Sequence, residues 1–198
     1  SFQAWYGAQR SAGNVLQQAR VEWVFRVKPH IVLYWALHVD IYVAAEARHK
    51  SNEVVLGRPD LAAVVLYYPR GDLLDTEVVL VREFRSPART PDGCIWELPS
   101  GSSFTSEWPA AVTAAREVEE ELGLRIDPHT LHRHEARQVS GPLSVHQAEL
   151  FSLELSAGQI AGLREQETRD VAHGDHAQSE ITRVRVRTVR QILADPYA

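Results

Sequence analysis

The stretch Gly101–Leu124, GSSFTSEWPAAVTAAREVEEELGL, decides how this chain is read. Its second half is one predicted helix, and within it Glu117, Glu120 and Glu121 stand at i, i+3 and i+4. On an α-helix that spacing puts the three carboxylates on one face. Like charges so gathered repel in water, and a fold seldom gathers them without a counter-ion. Hard oxygen ligands on one face suit Mg²⁺ or Mn²⁺, which bind a few carboxylates together with substrate phosphates and water. A solvated acidic helix is the competing reading, because runs of Glu on exposed faces are common. The context argues against it. Ala111, Ala115, Val118 and Leu122 form an apolar stripe on roughly the opposite side, so the helix is expected to dock on a core and turn its carboxylates outward. Gly123 is placed as a C-cap. Upstream, Cys94-Ile95-Trp96-Glu97-Leu98 reads as a strand that Pro99-Ser100-Gly101 breaks into a loop.

The run Arg116-Glu117-Val118-Glu119-Glu120-Glu121-Leu122-Gly123-Leu124 fits R-E-U-x-E-E-x-G-U, with U aliphatic, at every position. It resembles the Nudix box, the signature of hydrolases that cleave a nucleoside diphosphate linked to another group X. The wider family pattern is G-x5-E-x7-R-E. Gly101 to Glu107 keeps the first spacing, but eight residues separate Glu107 from Arg116, so counting back from the helix puts Trp108 at the glutamate position. The surplus residue is assigned to the loop–helix junction, where Pro109 can occupy the first turn without losing a needed N–H. An insertion inside the helix would rotate one part of the acidic face against another, and the R-E-U-x-E-E core is contiguous.

Within that family the chain is most similar to ADP-ribose and nucleoside-diphosphate-sugar pyrophosphatases, over roughly residues 50–195. Val81-Arg82-Glu83-Phe84-Arg85 resembles a strand end that places an Arg near the substrate, and Trp96-Glu97-Leu98-Pro99-Ser100-Gly101 resembles their E-L-P-A-G entry to the box. The strand-rich N-terminal extension is a third likeness. One departure is Ser140-Gly141-Pro142, with His146 near the place of an expected acid.

The resemblance implies an α/β fold, a Nudix-type α/β/α sandwich around a mixed β-sheet, with the extension over residues 1–57 and the hydrolase domain over 58–198. It implies metal ligation by Glu117, Glu121 and the Ser100 backbone carbonyl, with Glu120 a ligand or a base close to the metal. Arg116 is expected to hold the carboxylates by a bidentate contact. Arg85 and Arg58 are the candidates for the substrate's phosphates. The family's base often comes from the loop before the last strand, which here offers Asp170, Asp175, His176 and Glu180; Glu180 directly precedes an Ile-led strand and is favoured. The implied reaction is Mg²⁺- or Mn²⁺-dependent hydrolysis of ADP-ribose or a nucleotide sugar to a nucleoside monophosphate and a sugar phosphate. Alternatives are another X, such as coenzyme A or a dinucleoside polyphosphate, or a non-catalytic ligand-sensing Nudix module. The complete E-x2-E-E argues against a pure sensor.

Composition sets the outer bounds. The chain has 198 residues, a net charge of −5 and 44% hydrophobic content, which supports a real core and disfavours a broad nucleic-acid surface. Its single cysteine, Cys94, excludes an internal disulfide and fits a reducing, cytoplasmic setting. The most apolar run, Ile31–Ala45, is too short for a membrane span and contains His38 and Asp40. It reads instead as a buried strand or strand pair. Residues 48–52 look like a turn, 61–68 and 77–84 like a hairpin, 180–187 like a half-buried strand and 188–194 like a closing helix. A Nudix core needs about 130–150 residues, within one ordinary domain. The first third is therefore surplus, yet it holds Trp23, Phe25, Tyr34, Trp35 and Tyr42. Such a segment must cover its apolar face, and a homodimer built on paired strands would do so in both subunits.

Overall fold

In the computed structural model of the protein, the structure describes residues 2–102, 108–174 and 180–195. The chain divides into two compact units: one takes in Ser1–Leu61, Ser102–Thr105 and Ala136–Ala148, the other Ala62–Gly101, Ser106–Glu135 and Glu149–Ala198.

The first unit begins with helix α1 (Phe2–Ser11) and an antiparallel sheet of β1 (Val15–Lys28), β2 (Ile31–Val43) and β3 (Arg48–Gly57), in that order. The apolar run after Ile31 is thus one long strand, in which Leu37, Val39 and Ile41 alternate into the interior. Residues 48–52, expected to form a turn, instead open β3, with His49 opposite Tyr42 and Lys50 opposite Ile41. Pairing with β2 outweighs the low strand propensity of a polar segment whose side chains mostly stay in water. Strand β1 is exposed along nearly its whole length.

The second unit is built on the hairpin of β4 (Leu61–Arg70) and β5 (Asp72–Phe84), followed by β6 (Cys94–Glu97), β7 (Ser100–Ser102) and helix α2 (Ala110–Leu122). Then come β8 (His132–Arg133), β10 (Gln147–Glu154), whose first two residues lie in the first unit together with β9 (Arg137–Gln138), α3 (Ala157–Thr168), β11 (Ala172–His173), β12 (Thr182–Thr188) and α4 (Val189–Ala194). Among the described residues the sheet runs β11-β12-β5-β4-β10-β8, with β6 paired to β5, β7 to β4 and β9 to β10. The result is a mixed α/β architecture consistent with a Nudix fold.

Local sequence explains the helix limits. Ser156 and Gln159 form a reciprocal capping box at α3, and Thr188 and Gln191 do the same at α4. Helix α2 stops at Gly123, whose φ of 64° closes the last turn. The core joins Val64 and Leu66 of β4, Val79 and Val81 of β5 and Val184 of β12 to Val118 and Leu122 of α2 and Ile160 and Leu163 of α3. Burial of each such side chain contributes about 1.5–3 kcal/mol. This packing presses α2 onto the sheet and sets the height at which its glutamates meet the strands.

Candidate active site

Three carboxylates converge where β5, β12 and α2 meet. Carboxylate oxygens of Glu83, Glu121 and Glu180 lie within 4.8 Å of one another. Each arrives by a separate route. Glu83 continues the buried β5 alternation of Val79 and Val81, and it is itself buried. Glu180 stands two residues before Thr182, which pairs directly with Glu83 across β12 and β5. Glu121 comes from the last turn of α2.

The outward-facing carboxylates expected from the sequence need one correction: Glu121 is only 3% exposed. It sits three residues after the buried Val118 and one before the buried Leu122, at the border of the apolar stripe, so docking of α2 carries it inside. Glu117 is half-buried, whereas Glu120 and Arg116 are exposed. Residue Ser100 closes the site from the other side, donating its backbone N–H to Glu121 Oε2 at 3.0 Å. A Cβ on Gly101 would fall on the Glu117 carboxyl group, so the glycine leaves that carboxyl the place it occupies beside the strand end.

The electrostatics follow from crowding and burial. Burial pushes Glu121 up to about 9, with repulsion from Glu117, Glu180 and Glu83 adding to it and the Ser100 N–H opposing it. Glu117 is raised to about 7 by burial and by Glu120 and Glu180, against the pull of Arg116. Burial likewise raises Glu83 to about 7, with Arg85 opposing and Glu180 and Glu97 adding. Carboxylates this costly to ionise fit a cation, whose attraction would offset their burial and mutual repulsion and favour the ionised form. A buried oxygen of Glu83, Oε2, has no aligned hydrogen-bond donor. Arg85 Nη2 lies 2.8 Å from it, but as an ion pair without hydrogen-bond geometry. The guanidinium is oriented by Glu97, to which Nε and Nη2 both donate at 3.1 and 2.8 Å.

The remaining sequence candidates are distributed more widely. Arg116 lays its guanidinium 4.0 Å over the ring of Trp108, the residue at the position counted back for the box's glutamate. Arg58 belongs to the first unit, where it donates to Ser102 Oγ and lies over the Tyr34 ring. Asp170 is ion-paired with Arg183 at 3.0 Å and Arg185 at 3.7 Å. Also in the first unit, His146 is buried and bonded through Nδ1 to Ser144 Oγ. Glu107, Asp175 and His176 lie outside the described residues. Sequence reasoning overlooked Glu83. The signal was present in EVVLVREF, where the period-2 rule places Glu83 on the same face as Val79 and Val81.

Comparison with protein families matches the NUDIX domain over residues 57–195. The chain therefore belongs to the NUDIX family, and it is a hydrolase acting on pyrophosphate bonds. A search of the curated proteins finds none that matches. Nudix enzymes generally use divalent metals, and the three-glutamate cluster is a donor set of the right chemistry. No helix among the described residues is long and apolar enough to cross a membrane.

Proposed function

We propose that this hydrolase cleaves the pyrophosphate of ADP-ribose or a nucleotide sugar, releasing a nucleoside monophosphate and a sugar phosphate, with Mg²⁺ or Mn²⁺ held by the α2 glutamates. The observation that carries the reading is the convergence of Glu83, Glu121 and Glu180 within 4.8 Å. Glu117, Glu120, Glu121 and the Ser100 carbonyl are the proposed ligands, and Glu83 joins them from β5. A bound divalent cation supplies neutralisation of phosphate charge and Lewis acidity toward the attacking water. Glu180 or Glu120 accepts the proton of that water. Arg116, braced on Trp108, balances the charge of Glu117. Arg85 and Arg58 are assigned to the phosphates of the substrate, Arg85 from a place beside the carboxylates that Glu97 fixes.

The substrate class rests on the resemblance of VREFR and WELPSG to the corresponding pyrophosphatase segments. In this chain those segments form the end of β5 and the passage from β6 to β7, the two stretches that deliver Glu83, Arg85 and Ser100. We also assign residues 1–57 to the interface of a homodimer. Support comes from the sheet's first strand, where Val21, Trp23, Phe25 and Val27 are 62, 54, 44 and 47% exposed, an apolar row that a second copy would cover. The cytoplasm, with a free nucleotide as substrate and neither nucleic acid nor membrane as partner, is the proposed setting.

A panel of ADP-ribose, GDP- and UDP-sugars, coenzyme A and a dinucleoside polyphosphate, assayed for the monophosphate released, tests the assignment. Preferential turnover of coenzyme A or the dinucleoside polyphosphate would overturn it.

A further inference from the structure

Three carbonyls in the last turn of α2 are taken up by the protein itself. An α-helix leaves its last four C=O groups without intrahelical partners. Here the C=O of Glu119 accepts from the Gly123 N–H, that of Glu120 from the Gly174 N–H at 3.1 Å, and that of Glu121 from Thr182 Oγ1 at 3.1 Å. Gly174 and Thr182 are the two sides of a neck formed by the end of β11 and the start of β12, next to Glu180. The neck itself is tight. His173 pairs with Thr182, and a Cβ on Gly174, whose φ is +101°, would stand 2.8 Å from the Glu180 carbonyl oxygen. The His173 ring occupies the space beside Gly123 and is held by Gln166 of α3 at 2.8 Å.

We infer that Thr182 is a positioning residue of the hydrolase, its hydroxyl fixing Glu180 in register with the α2 carboxylates. Two facts single out this side chain. Thr182 is fully buried and bonds to the main chain of the very residue, Glu121, whose side chain enters the cluster. It also pairs with Glu83 across the sheet, so one residue links the backbones that carry all three converging carboxylates. The neighbouring Gly174 bond restrains the β11 side alone. Removing the hydroxyl leaves the Glu121 carbonyl buried without that donor and frees the neck to shift against the helix. Glu180 then loses its place relative to Glu83 and Glu121, while the remainder of the β12–β5 ladder stays paired.

This inference rests on the proposed role of Glu180, and the experiment separates the two. Thr182→Ser keeps the hydroxyl, and Thr182→Ala differs from Ser by that oxygen alone. We expect Thr182→Ser to hold kcat and Mn²⁺ affinity within twofold of the parent. We expect Thr182→Ala to lower kcat and Mn²⁺ affinity at least tenfold with KM nearly unchanged, because substrate binding groups do not move. Calorimetric Mn²⁺ titration of the full chain provides a readout independent of turnover. Equal kcat and Mn²⁺ affinity in the Ser and Ala variants overturns the inference, whether both are impaired or both intact. Glu180→Gln in the same assays tests the underlying reading: if that variant is fully active and binds Mn²⁺ normally, the role of Glu180 falls. If Glu180→Gln is inactive while Thr182→Ala matches Thr182→Ser, only the positioning role falls.

Discussion

Replacing Glu121 by glutamine should stabilise the metal-free protein at alkaline pH while abolishing its response to metal. The carboxyl of Glu121 is raised from 4.5 to about 9 in the folded chain. A group raised on folding contributes stability that is complete below its unfolded value and is lost as pH climbs toward the folded one. At pH 8 the unfolded chain carries an ionised Glu121 and the folded chain a largely protonated one. The penalty spans three and a half pH units at about 1.4 kcal/mol each, a ceiling of roughly 5 kcal/mol. Glutamine never ionises and escapes it, and its carbonyl can still accept the Ser100 N–H. Against this gain stands a buried amide NH₂ that needs a partner, at a cost of about 1–3 kcal/mol. Glu117 and Glu83 also share the repulsion, so the ceiling is not reached. A net stabilisation of about 2 kcal/mol corresponds to roughly 4–8 °C in Tm for a chain of this size.

Thermal melts in chelator at pH 5 and pH 8 test this directly. At pH 5 the ionic penalty shrinks to about 0.7 kcal/mol, so the amide cost prevails and the variant should melt at or below the parent. At pH 8 the order should reverse. Adding Mn²⁺ at a hundredfold over Kd should then stabilise the parent by about 2.7 kcal/mol and the variant hardly at all. An offset between the two proteins that ignores pH, or an equal response to Mn²⁺, would refute the electrostatic account of the cluster.

Glu180→Gln should lower kcat by at least tenfold with a smaller change in KM, since a base or ligand acts chiefly on the transition state; a shift in Tm alone would mark Glu180 as structural. Gly101→Ala should weaken Mn²⁺ binding about tenfold with little loss of Tm, because the new methyl displaces the flexible end of Glu117 rather than backbone. Unchanged Mn²⁺ affinity would remove Glu117 from the ligand set. Trp23→Asp, placed in the exposed row of β1, should convert a dimer to a monomer by light scattering. A molecular mass identical to the parent's would count against that interface.

The acidic helix, its glycine stop, the β4–β5 hairpin and the closing α4 were legible in the sequence, because each rests on short-range rules: 3.6-residue periodicity, turn residues and capping boxes. So was the spacing of Glu117, Glu120 and Glu121 along one helix, since i, i+3 and i+4 need only a helix, although of the three only Glu121 joins Glu83 and Glu180. Only the tertiary structure decided which of them is buried, because the border position of Glu121 depends on how deeply α2 docks on Val64, Val81 and their neighbours. Only the structure brought Glu83 to Glu180, 97 positions apart in the chain, through the pairing of Thr182 with Glu83. Local alternation fixes which face each strand buries, but not which distant strand it pairs with. The same holds for Arg48–Gly57, whose polar start reads as a turn until β2 offers it a partner.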